Sequence, residues 1–156
     1  MEMEIFYFGR GFRLMKTKVM YHSRSGNTKK VADAIAQAVG EVPEAVPSDY
    51  PLENVGLLFL GAGVYGGKPD KKVIEFIRTL NTNRVKNVAL FSTSAGDSKH
   101  LNTIRELLKG QGINVIDETF ACKGKFFFFI NRNNPNAEDL KQAQKFAKEV
   151  HDKLKD

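Results

Sequence analysis

Six consecutive residues, Val55 to Leu60, carry no polar side chain, and the run stops at Gly61. Bounded in this way, it suits a central strand buried on both faces. Such a strand demands apolar layers above and below it, and the rest of the chain supplies them. Lys18 to Tyr21 and Val88 to Phe91 read as further short strands. Glu44 to Pro47 forms a brief one, and Ile113 to Phe120 alternates weakly as a last. Between them, apolar residues recur at helical spacing. Val31, Ala34, Ile35, Ala38 and Val39 mark one buried face, closed by Gly40. Val73, Phe76, Ile77 and Leu80 mark the next, with Pro69 near its start. Leu101, Ile104 and Leu108 follow, closed by Gly110. The final helix starts near Asn136, with Asp139 placed for a capping box, and turns Leu140, Ala143, Phe146, Ala147, Val150 and Leu154 inward.

Strand and helix thus alternate without internal repeat or composition break. That order predicts an α/β domain, a parallel sheet with helices on both faces. Ligands of such sheets bind beyond the carboxyl ends of the strands. Three loops fall at that edge, residues 23–28, 61–69 and 93–97, and they are expected to meet in space.

At 156 residues, 42% hydrophobic and 27% charged, the chain has the size and composition of one globular domain. The apolar run Phe126 to Ile130, like Val55 to Leu60, is far shorter than the roughly 20 residues of a membrane span. The early run Ile5 to Phe8, preceded by Glu2 and Glu4, is no secretory signal. A single cysteine, Cys122, excludes an internal disulfide and a cysteine-built metal site, so a cytoplasmic location is expected. The net charge of +6 points to an acidic partner, nucleic acid or membrane surface. However, Lys141, Lys145, Lys148, Lys153 and Lys155 spread along a helix as on a solvated face, and no arginine–aromatic interleaving speaks for nucleic acid.

The loop Ser23-Arg24-Ser25-Gly26-Asn27-Thr28 is built almost wholly of hydroxyl, amide and glycine residues at the mouth of a helix. A helix N-terminus offers unpaired amide hydrogens and the positive end of the dipole. Ser23, Ser25 and Thr28 add hydroxyl donors, and Gly26 lets a ligand approach the backbone. A phosphate would account for the surplus; a polar turn with an N-cap is the plainer alternative. A Walker loop is excluded, since only Gly26 of its glycines is present. The stretch Gly61-Ala62-Gly63-Val64-Tyr65-Gly66 spells the dinucleotide fingerprint after a strand. Gly67-Lys68-Pro69 delays the helix, however, and the next strand ends in Ser92 and Thr93 rather than an acidic residue.

Following Tyr21 and preceding Ala32 and Ile35, the 23–28 loop resembles the flavodoxin signature [ST]-x-[ST]-G-x-T. The likeness continues through VGLLFLGAGVYGGKPDKKVIEFI and NVALFSTSAGD to the last helix, covering residues 16 to 154 at the length of short-chain flavodoxins. The resemblance implies a three-layer sandwich around a five-stranded parallel sheet of order 2-1-3-4-5. It implies FMN, its phosphate held by Ser23, Arg24, Ser25, Gly26, Asn27 and Thr28. The ring would lie between Gly63, Val64, Tyr65, Gly66 and Gly67 on one side and Thr93, Ser94, Ala95, Gly96 and Asp97 on the other. Tyr65 matches the stacking aromatic. Gly66 or Gly67 matches the glycine whose carbonyl turns to the flavin N5, a change that needs positive φ. The third loop would offer amides to the pyrimidine edge.

The chain departs from the family in two respects. Its third loop has no aromatic, His100 being the nearest ring, which leaves one flavin face open. Phe126–Phe129 is a candidate for that face, with core filling the preferred reading. Flavodoxins are acidic, whereas here Arg24, Lys29 and Lys30 flank the phosphate loop and Lys68 the ring loop. Positive charge near the ring favours the anionic hydroquinone, so a less negative second reduction step is expected, with a redox partner that presents an acidic patch. Cys122 lies near Lys123 and Lys125, yet a buried structural thiol is the preferred reading. His22 either reaches the phosphate or ribityl chain or simply packs, and His151 is expected on the exposed side of the last helix. Residues 1–14 read as an extension before a natural start at Met15: a tag or upstream remnant, a disordered arm, or an edge strand at Ile5–Phe8. The function implied is an electron carrier rather than an enzyme. The alternatives are a flavin-dependent quinone reductase or protoporphyrinogen dehydrogenase on the same fold, and a non-redox phosphate-binding module.

Overall fold

Successive side chains of a strand point to opposite faces, so an all-apolar strand needs a core on each side. The computed structural model, which describes residues 15–65, 68–93, 100–122 and 135–155, supplies both. Its elements run β1 (Thr17–His22), α1 (Asn27–Val39), β2 (Glu44–Ala45), β3 (Val55–Tyr65), β4 (Lys68–Pro69) and α2 (Lys71–Arg78). They continue as β5 (Val85–Thr93), α3 (His100–Gly110), β6 (Asn114–Val115), β7 (Phe120–Cys122) and α4 (Ala137–Lys155).

Val19, Leu57, Phe59, Ala89 and Phe91 face α1 and α4, where the rings of Phe59 and Phe146 meet edge to face at 6.0 Å. Their chain neighbours Met20, Leu58, Leu60, Val88 and Leu90 face α2 and α3. The result is the expected three-layer sandwich. Among the described residues no helix is long and apolar enough to cross a membrane.

The sheet order is β2-β1-β3-β5, followed by β6 and β7 on the far side of β5, all parallel. Two details differ from a plain five-stranded sheet. First, the last strand is broken. Its offset from β5 grows from 27 residues at Val88↔Val115 to 29 at Phe91↔Phe120, so two extra residues bulge out between β6 and β7. Ile116 still donates to the carbonyl of Val88 at 2.8 Å and is buried, so the exposed residues 117–119 carry the bulge. Second, β4 pairs antiparallel with the end of β3.

The region 61–69 is therefore less of a loop than expected. β3 runs on through Gly61 and Gly63 to Tyr65, because β1 and β5 continue beside it, His22 opposite Ala62 and Thr93 opposite Gly63. Gly61 is there for space: a Cβ on it would run into the ring of Phe91, its partner across the ladder. Pro69 belongs to β4, and α2 starts two residues later, capped by Asp70. α1 ends at Gly40 as expected. So does the capping box of α4 form, Asn136 N–H donating to Asp139 Oδ2 at 2.9 Å and Asp139 N–H to Asn136 Oδ1 at 2.8 Å. The possible strand at Ile5–Phe8, the Phe126–Phe129 run and residues Gly66, Gly67, Ser94, Ala95, Gly96 and Asp97 lie outside the described residues.

Replacing Gly61 by Ala should cost about 1–3 kcal/mol, because the fully buried Phe91 ring has nowhere to go. Chemical denaturation of Gly61→Ala measures the loss, and Phe91→Leu in the same chain should recover part of it.

Candidate functional site

β1 ends at His22 on the carboxyl edge of the sheet, and the chain turns through residues 23–26 into α1. Gly26 takes the N-cap position with φ of 93°, a left-handed conformation that a side chain would strain. Among the described residues nothing lies within 4 Å of where its Cβ would stand, and no side chain caps the helix. By contrast, a carboxylate caps α2 and a reciprocal box caps α4. The amide of Gly26 donates to Ser23 Oγ at 2.9 Å, folding the loop onto itself. Arg24 and Ser25 are exposed, while Asn27 and Thr28 are buried at the start of the helix.

The loops meet as expected among the described residues. The hydroxyls of Thr28 and Thr93 lie 2.8 Å apart, a buried bond that joins the first loop to the end of β5. A second junction runs from the first loop to the start of α2 and centres on Asp70, which is only 5% exposed. Its Oδ1 accepts the backbone N–H of Lys72 at 2.8 Å. Its Oδ2 accepts from Arg24 Nε at 3.0 Å and Nη2 at 2.6 Å, and lies 3.2 Å from His22 Nε2. Burial pushes the Asp70 carboxyl up, but the Lys72 amide, the Arg24 guanidinium and His22 together outweigh it and hold it below the ordinary aspartate value. Asp70 is thus ionised at neutral pH.

Sequence reasoning did not single out Asp70. An acidic residue directly ahead of an amphipathic run is an N-cap signal, but nothing in the sequence reveals a partner 46 residues earlier. Neither reading of His22, phosphate contact or packing, named the carboxylate it lies against.

Gly63 and Thr93 face each other in the β3–β5 ladder, and Val64 and Tyr65 close β3 against Pro69 and Lys68. The side chains of Val64, Tyr65 and His100 lie outside the described residues. Lys29, expected beside the phosphate loop, is drawn to Asp33 one turn on, at 3.2 Å. His151 is half-buried rather than fully exposed. Cys122 is partly buried, and burial with the nearby negative charge of Asp139 pushes its thiol up to about 12. Lys123 and Lys125 lie outside the described residues. Among the described residues no cluster of His, Cys, Asp and Glu fits a metal ion.

A cleft of about 450 Å³ lies between residues 47–52 and α2, with Tyr50 and Phe76 in its walls. It shares no residue with the three loops, where the convergent donors are. The dinucleotide reading also falls here. Gly61 and Gly63 sit inside β3, and the next helix opens only at Lys71.

A parallel sheet covered by helices on both faces, with its strand ends gathered at one edge, defines an α/β domain of the doubly wound class. The flavodoxin domain model matches residues 18–128, and the chain belongs to this family. It is 32% identical to the uncharacterized protein MJ0298 of Methanocaldococcus jannaschii over 149 residues, covering 87% of this chain and 98% of that protein. It is 31% identical to a flavodoxin of Clostridium beijerinckii over 111 residues, 64% of this chain and 80% of the other. The solved structure of a flavodoxin from the domain Archaea superimposes with a TM-score of 0.76 at 20% identity, over 91% of this chain and 100% of that one.

At pH 8 the folded protein should react with a thiol reagent far more slowly than after unfolding, since the Cys122 thiolate forms in quantity only near pH 12. Timed alkylation with and without denaturant checks this. Fast labelling of the native chain contradicts the assignment.

Proposed function

We propose that this chain binds FMN and carries electrons between larger redox proteins in the cytoplasm. Family membership supports a flavin, and the observation that carries FMN is the β1–α1 loop. It combines a left-handed glycine with open space at its Cβ position, a helix start without a side-chain cap, and hydroxyls at Ser23 and Ser25. These residues fit a phosphate monoester.

On this reading Ser23, Arg24, Ser25, Gly26, Asn27 and Thr28 hold the phosphate. The α1 amides and the helix dipole supply the positive end. Gly63, Val64, Tyr65, Gly66 and Gly67 hold one side of the ring, and Thr93, Ser94, Ala95, Gly96 and Asp97 its pyrimidine edge. The bound flavin supplies the electron transfer, and the protein orients it and tunes its potential. The Thr28–Thr93 bond fixes the spacing between phosphate loop and ring edge. Residues 15–156 form the working domain, and 1–14 are an extension to it.

FMN added to colourless protein should give a saturable yellow complex with a perturbed visible spectrum. Gly26→Val should weaken it at least tenfold, because the loop must leave its left-handed turn. A wild-type protein that stays colourless at saturating FMN would falsify the reading. Steady oxidation of NAD(P)H with a quinone would move the assignment from carrier to enzyme.

The charge of +6 sets a second expectation: a redox partner with an acidic docking patch. The second reduction midpoint should be less negative than that of acidic flavodoxins, as read by a potentiometric titration. Reduction of the protein by an acidic donor should slow as salt rises. A very low midpoint, or a rate indifferent to salt, contradicts the electrostatic part of the proposal.

A further inference from the structure

An N-cap requires one acceptor oxygen, and Asn, Ser or Thr supplies it as well as Asp does. Asp70 gives Oδ1 to that task and has a second oxygen with a different set of partners. Oδ2 gathers the Nε and Nη2 of Arg24 from the first loop and lies beside His22 at the end of β1. A buried carboxylate needs compensation, but the capping amide and one cation would provide it. Here three groups from three elements converge on one side chain.

The position of Asp70 in the chain gives this convergence a consequence. It directly follows β4, whose residues pair with the end of β3, Val64 with Pro69 and Tyr65 with Lys68. The hairpin that carries Tyr65 therefore enters α2 through Asp70. The same carboxylate grips the loop that opens α1. One end of a ligand lying along the sheet edge would meet the first loop, and the other would meet the hairpin.

We infer that Asp70 is a positioning residue that sets the β3–β4 hairpin in register with the 23–28 loop, so that a ligand with both a ring and a phosphate is favoured over the ring alone. This rests on the FMN reading above. Asp70 touches no ligand in this role; it acts through Arg24, His22 and the hairpin. Arg24 is 60% exposed at its side chain, so the guanidinium stands at the surface of the loop with its inner edge on the carboxylate.

The test compares FMN with riboflavin, which has the ring but no phosphate, on the full-length protein and on Asp70→Asn. The Asn side chain keeps the capping oxygen and loses the charge on the other side. FMN affinity should fall on the order of tenfold, while riboflavin affinity changes less than about twofold. Asp70→Ser, which also retains a cap, should show the same split if Asp70→Asn folds poorly. With Arg24→Gln the two losses should not multiply, because both substitutions break one unit. Equal loss of FMN and riboflavin would mean that the carboxylate only supports the fold, and the inference falls. Unchanged or tighter FMN binding would mean that it merely diverts Arg24 from the phosphate, and the inference falls again. Wild-type protein that binds neither flavin removes the FMN reading and this inference with it, a result distinct from the other two.

Discussion

The molecule depends on three adjacent parallel strands being buried on both faces. β1, β3 and β5 run the same way with their ladders in phase, so their carboxyl ends emerge together. Whatever follows each strand must then start from the same edge. Thr28 and Thr93 come within hydrogen-bond distance although 65 residues separate them, because Val19 to His22 and Leu90 to Thr93 flank one β3 strand. Each fully buried Leu, Phe or Val in these strands contributes about 1.5–3 kcal/mol. A core of this kind tolerates a buried carboxylate at its rim, because the groups that bond Asp70 outweigh the cost of its desolvation.

What could be read in the sequence follows from how local each signal is. The double-sided strands were legible because neighbours along the chain, such as Leu57 and Leu58, are both apolar and must face opposite layers. The capping box of α4 was legible because both of its partners lie within one turn. The end of β3 was not. Gly61 and Gly63 look like loop residues until Phe91 is seen to fill the place of a side chain at Gly61 and Thr93 to pair with Gly63. The break between β6 and β7 escaped for a related reason. A two-residue slip against β5 leaves the apolar pattern of residues 113–120 merely blurred.

At the site the division is the same. The turn into α1 was legible, since Ser23 and Gly26 act within a few residues of one another. Cation placement could not be read off, because it depends on partners across the fold. Arg24 lies within the loop and Lys29 directly after it, yet in the structure each engages a carboxylate, Asp70 and Asp33.

These pairings alter what the net charge of +6 means for the loop. If lysines and arginines held the phosphate directly, the loop would be a patch of free positive charge, open to any anion and strongly weakened by salt. Instead two of its nearest cations are paired with carboxylates, and on the proposed reading Arg24 shares the phosphate with the oriented amides at the start of α1. Dipoles at fixed positions act over a short range and select by geometry. The excess of basic residues is left on exposed helix faces, at Lys141, Lys145 and Lys148 among others, where it can act on a partner at longer range. On the proposed reading, short-range selection of a ligand and long-range attraction of a partner rest on different parts of the surface, and a change in one need not disturb the other.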